Sequence, residues 1–452
     1  MSEPHGSAEF RTVSALTALH GAALPTIRFF RIAYGVSVHT PASPSAASTS
    51  LGPGRGALLV LLLGSTLTIM AGTVIAPVVS VIRGDLGVSG TQAGLILTAH
   101  GLSLAIVSPC VGWAIDRWGV RLPLAGGLVL YGIAGGAGVF IESYTTLIIS
   151  RFVFGVGAAA LFSGTTVALL ALYRGTMRDK VAGWRGTAIS LGGIVWPLVG
   201  GGLGTLSWHG PFAVYLLGIP LGIAVLATLP RTAPPPRQAG TGAIAFIRRQ
   251  PRLLTLYALS LFSSFLLYVL AVFLPQRLTE LGTADPFVIS LVVTSTSVSG
   301  SLVGLCYATL KGRLGYVSLL RAALALWTLA LLIIAMAGHP ALLTLATVLF
   351  GLGSGVAVPA LAMMIGESAP PALRGQVMSL SGTANFLGQF IAPLIVGPVI
   401  GATSIATGFL AAAGVGLIVC LASFAMRDDQ PSQTEDVPPT TVDGAPRADR
   451  HD

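Results

Sequence analysis

Long stretches of this chain carry no charged side chain, and this pattern constrains its fold more than any other feature. Charged residues make up only 9% of the 452 residues, and they gather in short segments between apolar runs. A soluble domain needs about 25% charged residues to cover its surface. The scarcity therefore excludes a soluble globular protein and predicts repeated helices that cross a lipid bilayer.

Twelve apolar segments have the length of a helix that crosses a bilayer, which takes roughly 20 residues. A polar segment at 231–252, which contains a run of three prolines, divides them into two groups of six. The predicted spans are 57–82, 91–114, 122–141, 145–172, 187–206, 211–230, 254–275, 287–310, 319–338, 341–365, 376–399 and 401–426.

The sequence thus predicts an all-α integral membrane protein with twelve transmembrane helices in two six-helix bundles. The N-terminal bundle covers 57–230 and the C-terminal bundle covers 253–426. The segment 231–252 is predicted to be a cytoplasmic linker. Because they lack long apolar runs, 1–56 and 427–452 are predicted to be disordered cytoplasmic tails.

Basic residues are distributed very unevenly between the two sets of loops. Fifteen Lys and Arg residues lie in or beside the loops of one side, and only Arg83 and Arg277 lie in those of the other. Cytoplasmic loops carry the excess of Lys and Arg in membrane proteins. We therefore expect a multi-pass protein of the cell inner membrane with both termini in the cytoplasm. The bias also explains the net charge of +9 without a nucleic-acid partner.

Short sequence patterns recur in the two halves in the same order. Arg117 and Gly119 after the second span match Arg313 and Gly315 after the eighth at an offset of 196 residues. Gly-x-Gly in the fourth span recurs in the tenth at the same offset, and Arg-Gly before the fifth span recurs before the eleventh at 189. The order indicates an internal duplication and hence two pseudo-symmetric bundles. Duplicated bundles with a site between them are typical of secondary transporters.

The loop after the second span carries the most specific local pattern, formed by Gly112, Asp116, Arg117, Gly119 and Arg121. It resembles the signature loop of the major facilitator superfamily, although Val120 stands where the family often has a basic residue. The resemblance implies a cytoplasmic latch that sets the balance between inward-open and outward-open states. The alternative is that the two arginines only follow the positive-inside bias.

Arg151 is the only Lys or Arg well inside a predicted span. Its surroundings resemble the fourth-helix motif of the superfamily, with Phe154 where a glutamine is common. A charge in the bilayer is costly and must find partners or water. The resemblance implies a role in proton coupling or in a central polar network, and the alternative is a snorkelling side chain.

The fifth span contains Gly193, Pro197, Gly200 and Gly201. These residues resemble the fifth-helix motif of the superfamily's exporters, with Trp196 in place of its central glycine. Proline can bend a helix, and small residues around a bend would let two bundles rock against each other. Ordinary glycine packing is the alternative.

All sixteen acidic residues fall in tails, loops or span ends, so no embedded carboxylate is available to carry a proton. His100, near the middle of the second span, is then the candidate proton carrier, since histidine titrates near neutral pH. The alternative is a neutral histidine that bridges two helices.

Asn385 and Gln389 lie one turn apart in the eleventh span, and Phe265 and Tyr268 lie in the seventh. Buried amides and aromatic rings at these positions are candidates for the wall of a substrate cavity. The alternatives are hydrogen bonds between helices for the amides and contact with lipid for the rings.

No nucleotide-binding, nucleophile-elbow or metalloprotease motif is present, so we expect no enzyme activity, cofactor or metal site. The resemblance covers about residues 57–426 and is strongest to the twelve-helix drug:proton antiporter branch. It implies a monomeric secondary transporter that exports small amphipathic or lipophilic compounds in exchange for protons. An uptake carrier for a neutral or anionic metabolite is the alternative, and a non-transporting membrane sensor is a third possibility.

The charge bias predicts the orientation of the loops. In a variant whose native cysteines are replaced by serine, single cysteines at Arg237 and Ala284 should label from opposite sides of the membrane. A membrane-impermeant maleimide should reach Ala284→Cys in intact cells and Arg237→Cys only in inside-out vesicles. Labelling of both positions in intact cells would contradict the orientation.

Overall fold

The computed structural model describes residues 54–231, 243–370 and 373–425. Most of both predicted tails and half of the predicted linker lie outside these ranges. Within them the chain is helical, without strands, and 12 helices are long and apolar enough to cross a membrane. This confirms the predicted all-α membrane fold.

The twelve spans are numbered here in chain order. A short helix, Ala243–Arg248, precedes the seventh. The spans are α1 (Arg55–Asp85), α2 (Gly90–Trp118), α3 (Arg121–Val139), α4 (Tyr144–Leu172), α5 (Gly175–Gly204), α6 (Gly210–Thr228), α7 (Pro251–Glu280), α8 (Pro286–Leu305), α9 (Tyr307–Met336), α10 (Pro340–Glu367), α11 (Arg374–Ala402) and α12 (Ile405–Ser423).

One predicted boundary is wrong at an end that carries basic residues. Helix α5 begins at Gly175 rather than at 187. Helix α9 is broken at Gly315, whose φ of 74° is not helical, so the part of α9 that follows this break begins close to the predicted 319. Hydropathy places a boundary where charge begins, but a charged turn can continue a helix beyond the hydrocarbon region. The basic residues between Arg174 and Arg185 therefore lie mostly on a helix and not in a loop.

Local sequence explains where several helices begin. The Ser89 hydroxyl accepts from the Gln92 backbone N–H, and the Gln92 side chain accepts from the Ser89 N–H, which is a capping box for α2. Asp285 and Ser404 cap α8 and α12 in the same way with their side-chain oxygens. Polar caps of this kind satisfy backbone donors at the membrane surface.

The first six spans pack into one bundle and the last six into another. Their geometry repeats at the 196-residue offset seen in the sequence. Gly119 and Gly315 both have φ 74°, a conformation that glycine adopts without strain. Gly155 packs on the backbone of His100, and Gly351 packs on that of Thr296. The two bundles are therefore pseudo-symmetric, whereas their exact boundaries stay predictions.

Helix α2 packs against α11, and α5 against α8, to join the two bundles. A methyl group at Gly94 would lie 2.7 Å from Pro393, and one at Gly201 would lie 2.7 Å from the Pro286 carbonyl oxygen. The Arg83 Nη1 donates to the Gln276 Oε1 at 2.9 Å, which links the end of α1 to α7. These contacts all lie toward the membrane face where α1 ends and α2 begins, named the opposite face below.

The other face carries the α2–α3 and α4–α5 loops and is named the basic face. Several glycines lie in the halves of the helices near this face. A side chain added at any of them would meet open space: Gly112, Gly186, Gly304 and Gly382. Among the described residues, no hydrogen bond or glycine contact joins the bundles there. The bundles are therefore packed closely toward the opposite face and lie apart toward the basic face, beyond the contact of the Phe162 ring in α4 with the Phe386 ring in α11.

A disulfide should test the closed half of the interface. The Cβ of a residue at Gly193 in α5 would lie 3.4 Å from the Ser297 Cβ in α8, close to the 3.5–4.5 Å of disulfides. We expect Gly193→Cys with Ser297→Cys, in a background without native cysteines, to cross-link in most molecules. A protease site in the linker would reveal the bond as a reductant-sensitive band on a gel.

Each single-cysteine variant is the matched control and should separate into two fragments after cleavage. Failure of the double variant to cross-link under mild oxidation would contradict this packing of α5 on α8.

Candidate functional site

His100 and Gln389 meet where the two bundles join. The His100 Nε2 lies 3.2 Å from the Gln389 Nε2, and each side chain is 3% exposed. A neutral imidazole can accept the amide N–H through one ring nitrogen. The other ring nitrogen, Nδ1, has no hydrogen-bond partner among the described residues. This geometry matches a histidine that bridges two helices, and it leaves proton transfer as a prediction.

Arg151 lies inside the N-terminal bundle with 1% of its surface exposed, so it does not snorkel to the membrane surface. Its Nη2 donates to the carbonyls of Gly135 at 2.9 Å and Ala134 at 3.3 Å. Its guanidinium carbon also lies 4.7–5.2 Å from the ring centroids of Phe154, Phe212 and Tyr215. Cation–π contacts of desolvated groups contribute about 2 kcal/mol each, so these rings offset part of the cost of burial. We call these three rings with Arg151 the arginine cage.

The arginine cage has two connections that bear on function. Phe154 packs edge-on against His100, with 5.6 Å between ring centroids, and so stands between the imidazole and the guanidinium. The Tyr215 Oη donates to the Ala71 carbonyl of α1 at 2.9 Å. Within the described part of the chain no acidic side chain pairs with Arg151, and its Nε and Nη1 have no hydrogen-bond partner. The cage therefore holds a positive charge without a counter-ion.

The predicted latch loop is not engaged in this conformation. Asp116 and Arg117 are exposed, and within the described ranges Asp116 accepts no hydrogen bond. Gly119 forms the sharp turn that ends α2. Arg121 donates instead to the Leu226 carbonyl near the end of α6, inside the same bundle. The loop is thus free at the face where the bundles are apart.

The predicted motif of α5 forms the packing surfaces of that helix. Gly193 and Gly201 face α8, as their spacing predicts, and Gly200 faces the Val74 carbonyl of α1. Pro197 is buried and the helix continues through it. The indole of Trp196 donates to the Thr66 carbonyl at 3.0 Å, which gives this departure from the family pattern a role in anchoring α1. The geometry is that of glycine packing, and rocking about this helix stays a prediction.

A cavity of about 120 Å³ lies between α1, α7 and α8, where the two bundles face each other. Most of its wall is apolar. Four polar side chains reach it, from Thr73, Tyr268, Thr296 and Ser297. We call this space the interbundle cavity.

Of the four predicted cavity residues, only Tyr268 lines the interbundle cavity. Phe265 is 9% exposed and its ring stacks on Phe262, Asn385 lies 3.4 Å from the Ser264 hydroxyl, and Gln389 lies 3.2 Å from His100. Both amides thus make the contacts between helices that were their alternative. A role of these three residues in binding a substrate stays a prediction.

Sequence reasoning missed the three hydroxyl residues of the cavity wall. Thr73, Thr296 and Ser297 resemble the many Ser and Thr residues that bond to their own helix. One signal was available, since Thr296 occupies the position of His100 at the 196-residue offset.

The latch hypothesis predicts the effect of a single change. Asp116→Asn removes a charge at nearly constant size, so the folded protein should remain in the membrane. If the carboxylate holds the basic face closed in the other state, transport should fall by about tenfold, equivalent to about 1.4 kcal/mol. Transport of a substrate in vesicles, compared at equal protein amounts, measures this. Asp179→Asn, the same change at an exposed acid on the same face, is the matched control, and a wild-type rate in Asp116→Asn would show that the loop is only a charged turn.

Comparison with known proteins agrees with this architecture. The family model described as Major Facilitator Superfamily matches residues 61–283 and 256–449. The quinolone resistance protein NorA of Staphylococcus aureus (strain MSSA476) is 26% identical over 339 residues, which cover 72% of this chain and 84% of NorA. Multidrug resistance protein 1 of Bacillus subtilis (strain 168) is 30% identical over 158 residues, covering 34% of this chain and 40% of that protein.

Solved structures share the fold at low sequence identity. The nucleoside transporter NupG superposes with a TM-score of 0.68 at 15% identity, covering 83% of this chain and 100% of NupG. A POT family transporter in complex with 5-aminolevulinic acid gives a TM-score of 0.70 at 15% identity, covering 82% and 97%. The family and the fold are those of transporters and not of enzymes. With two six-helix bundles joined through α2–α11 and α5–α8, this chain belongs to the Major Facilitator Superfamily of membrane transporters.

Proposed function

We propose that this transporter exports small lipophilic or amphipathic compounds by alternating access, in exchange for protons. The observation that carries the proposal is the interbundle cavity, which is mostly apolar and walled by both bundles. Apolar walls with a few polar groups suit compounds that partition into membranes. The names of the two relatives, a quinolone resistance protein and a multidrug resistance protein, support export of such compounds.

The proposed cycle starts from the conformation described here. With the basic face in the cytoplasm, the open half would admit a compound from the cytoplasm or the inner leaflet. Rocking of the bundles about α2–α11 and α5–α8 would then open the opposite face. The latch loop at Asp116 would engage only in that second state, which accounts for its exposure here.

Proton coupling is assigned to His100. Its ring lies in the closed half of the interface, so it would meet water when the opposite face opens and lose it on closure. On closure Gln389 and Phe154 replace water around the ring. The charge of Arg151, on the far side of Phe154, then disfavours a second proton on the imidazole. For exchange, the proton that His100 takes up from the opposite face must leave toward the open basic face once the opposite face has closed.

Uptake of a neutral or anionic metabolite is the second candidate. The buried, unpaired charge of Arg151 favours it, because a positive group inside a bundle attracts anions. Export is preferred because no charged side chain lines the interbundle cavity. A panel of toxic compounds, tested on cells with and without the protein, distinguishes the two. Export predicts protection, and uptake predicts either no effect or greater sensitivity.

Replacement of the histidine tests the coupling. His100→Gln keeps a hydrogen-bonding side chain but cannot titrate. We expect it to abolish substrate-driven proton movement in vesicles across about pH 5 to 8, the range in which histidine switches.

Gln389→Leu is the control for this test, since it removes the contact between helices and keeps the imidazole. It should change the rate but not the number of protons moved per substrate. If proton coupling and its pH dependence are unchanged in His100→Gln, His100 is not the proton carrier, and Asp116 and Glu142 become the candidates.

A further inference from the structure

We infer that the interbundle cavity selects by charge, and that it takes neutral or anionic lipophilic compounds in preference to cationic ones. This inference rests on the proposed function, since it names the substrate class of the same cavity. Three observations carry it: the placement of the acidic residues, the position of Arg151 behind the cavity wall, and the hydroxyl groups that line it.

Within the described ranges no acidic residue lines the cavity, and Glu280, six residues beyond the lining residue Leu274 in α7, is paired with Arg277 at 2.9 Å. The acidic residues of these ranges occupy helix ends or loops: Asp85, Asp116, Glu142, Asp179, Glu280, Asp285 and Glu367. A cation that leaves water for an apolar cavity needs a nearby negative charge to offset its lost hydration. The wall of this cavity offers hydroxyl groups and one aromatic ring in place of that charge.

A positive charge stands behind one wall. Tyr215 of the arginine cage donates to the Ala71 carbonyl of α1, and the next residues, Gly72 and Thr73, line the cavity. The Tyr215 ring and α1 together therefore separate the guanidinium of Arg151 from the cavity, a distance of roughly 15–20 Å for one ring and one helix of about 10 Å diameter. A charge at such a distance in the protein interior changes the relative occupancy of anions and cations by about tenfold or more.

The polar groups on the cavity wall suit uncharged or anionic partners. The Thr73 hydroxyl donates to the Ile69 carbonyl at 2.9 Å, so its hydrogen is already used within α1. Tyr268, Thr296 and Ser297 bring O–H groups to the cavity. A hydroxyl donates to a carbonyl, a phenolate or a carboxylate, whereas it offers a cation only a weak dipole.

Binding of matched probes tests the selectivity directly. Three dansyl amides share one fluorophore and differ in the end of a propyl chain, which is a methyl, a carboxylate or a trimethylammonium group. Their fluorescence is titrated against purified full-length protein in lipid nanodiscs, with empty nanodiscs subtracted. We expect the neutral and anionic probes to bind at least about tenfold more tightly than the cationic probe. Equal or tighter binding of the cationic probe would overturn the inference, as would the absence of binding by all three.

A charge introduced at the wall tests whether this cavity is the site. Thr73→Asp and Thr73→Asn place side chains of the same shape in the cavity, and only the first carries a charge. Thr73→Asp should bind the trimethylammonium probe about tenfold more tightly than Thr73→Asn does, and the carboxylate probe more weakly. The same affinities in both variants would show that the probes bind elsewhere and would overturn the inference.

Transport of the same probes separates this inference from the proposed function. If vesicles with the protein accumulate none of the probes that bind, the proposed export is contradicted, whereas the charge selectivity of binding is not. If the cationic probe is both bound and transported as well as the neutral one, export stands and charge selection fails.

Discussion

Close approach of helix backbones at glycine is the interaction on which the rest of this structure depends. Lipid supplies little hydrophobic force between helices, so contact area must come from packing. Gly155 lets α4 lie on α2, and Gly351 lets α10 lie on α8, at the same place in each bundle. Across the bundles, Gly94 and Gly201 do the same for α2–α11 and α5–α8. The glycines thus fix both the shape of each half and the surfaces on which the halves meet.

Burial of Arg151 shows how this packing supports a charge. Gly135 of α3 accepts from the guanidinium through its carbonyl. It must be glycine for this packing, because a larger residue there would collide with Tyr215 and Phe154. The aromatic rings that surround the charge come from α4 and α6. A side chain whose desolvation costs several kcal/mol is therefore stabilised by carbonyl dipoles and ring faces in place of a carboxylate. The proposed charge selection of the cavity follows from that arrangement.

Sequence reasoning predicted the twelve spans and the repeat of Gly119 at Gly315, since each depends on local composition or on an internal repeat. It did not predict which side chains meet at the centre. His100 and Gln389 are 289 residues apart, and their contact depends on how α2 and α11 are rotated about their axes. Tyr268 lines the cavity, whereas Phe265, only three residues away, does not line it and stacks on Phe262 of the same helix. Rotation of that kind is set by packing across the whole bundle and leaves no local pattern in the sequence.

The phenol groups of Tyr131 and Tyr215 donate to the carbonyls of Leu67 and Ala71, one turn apart on α1. These two bonds fasten α1 to the interior of its bundle along the stretch that walls the cavity. The α1 side of the cavity is therefore rigid, and its shape does not adapt to the bound compound. Adaptation to compounds of different size is left to the facing helices α7 and α8, so that the C-terminal half would govern the range of sizes accepted.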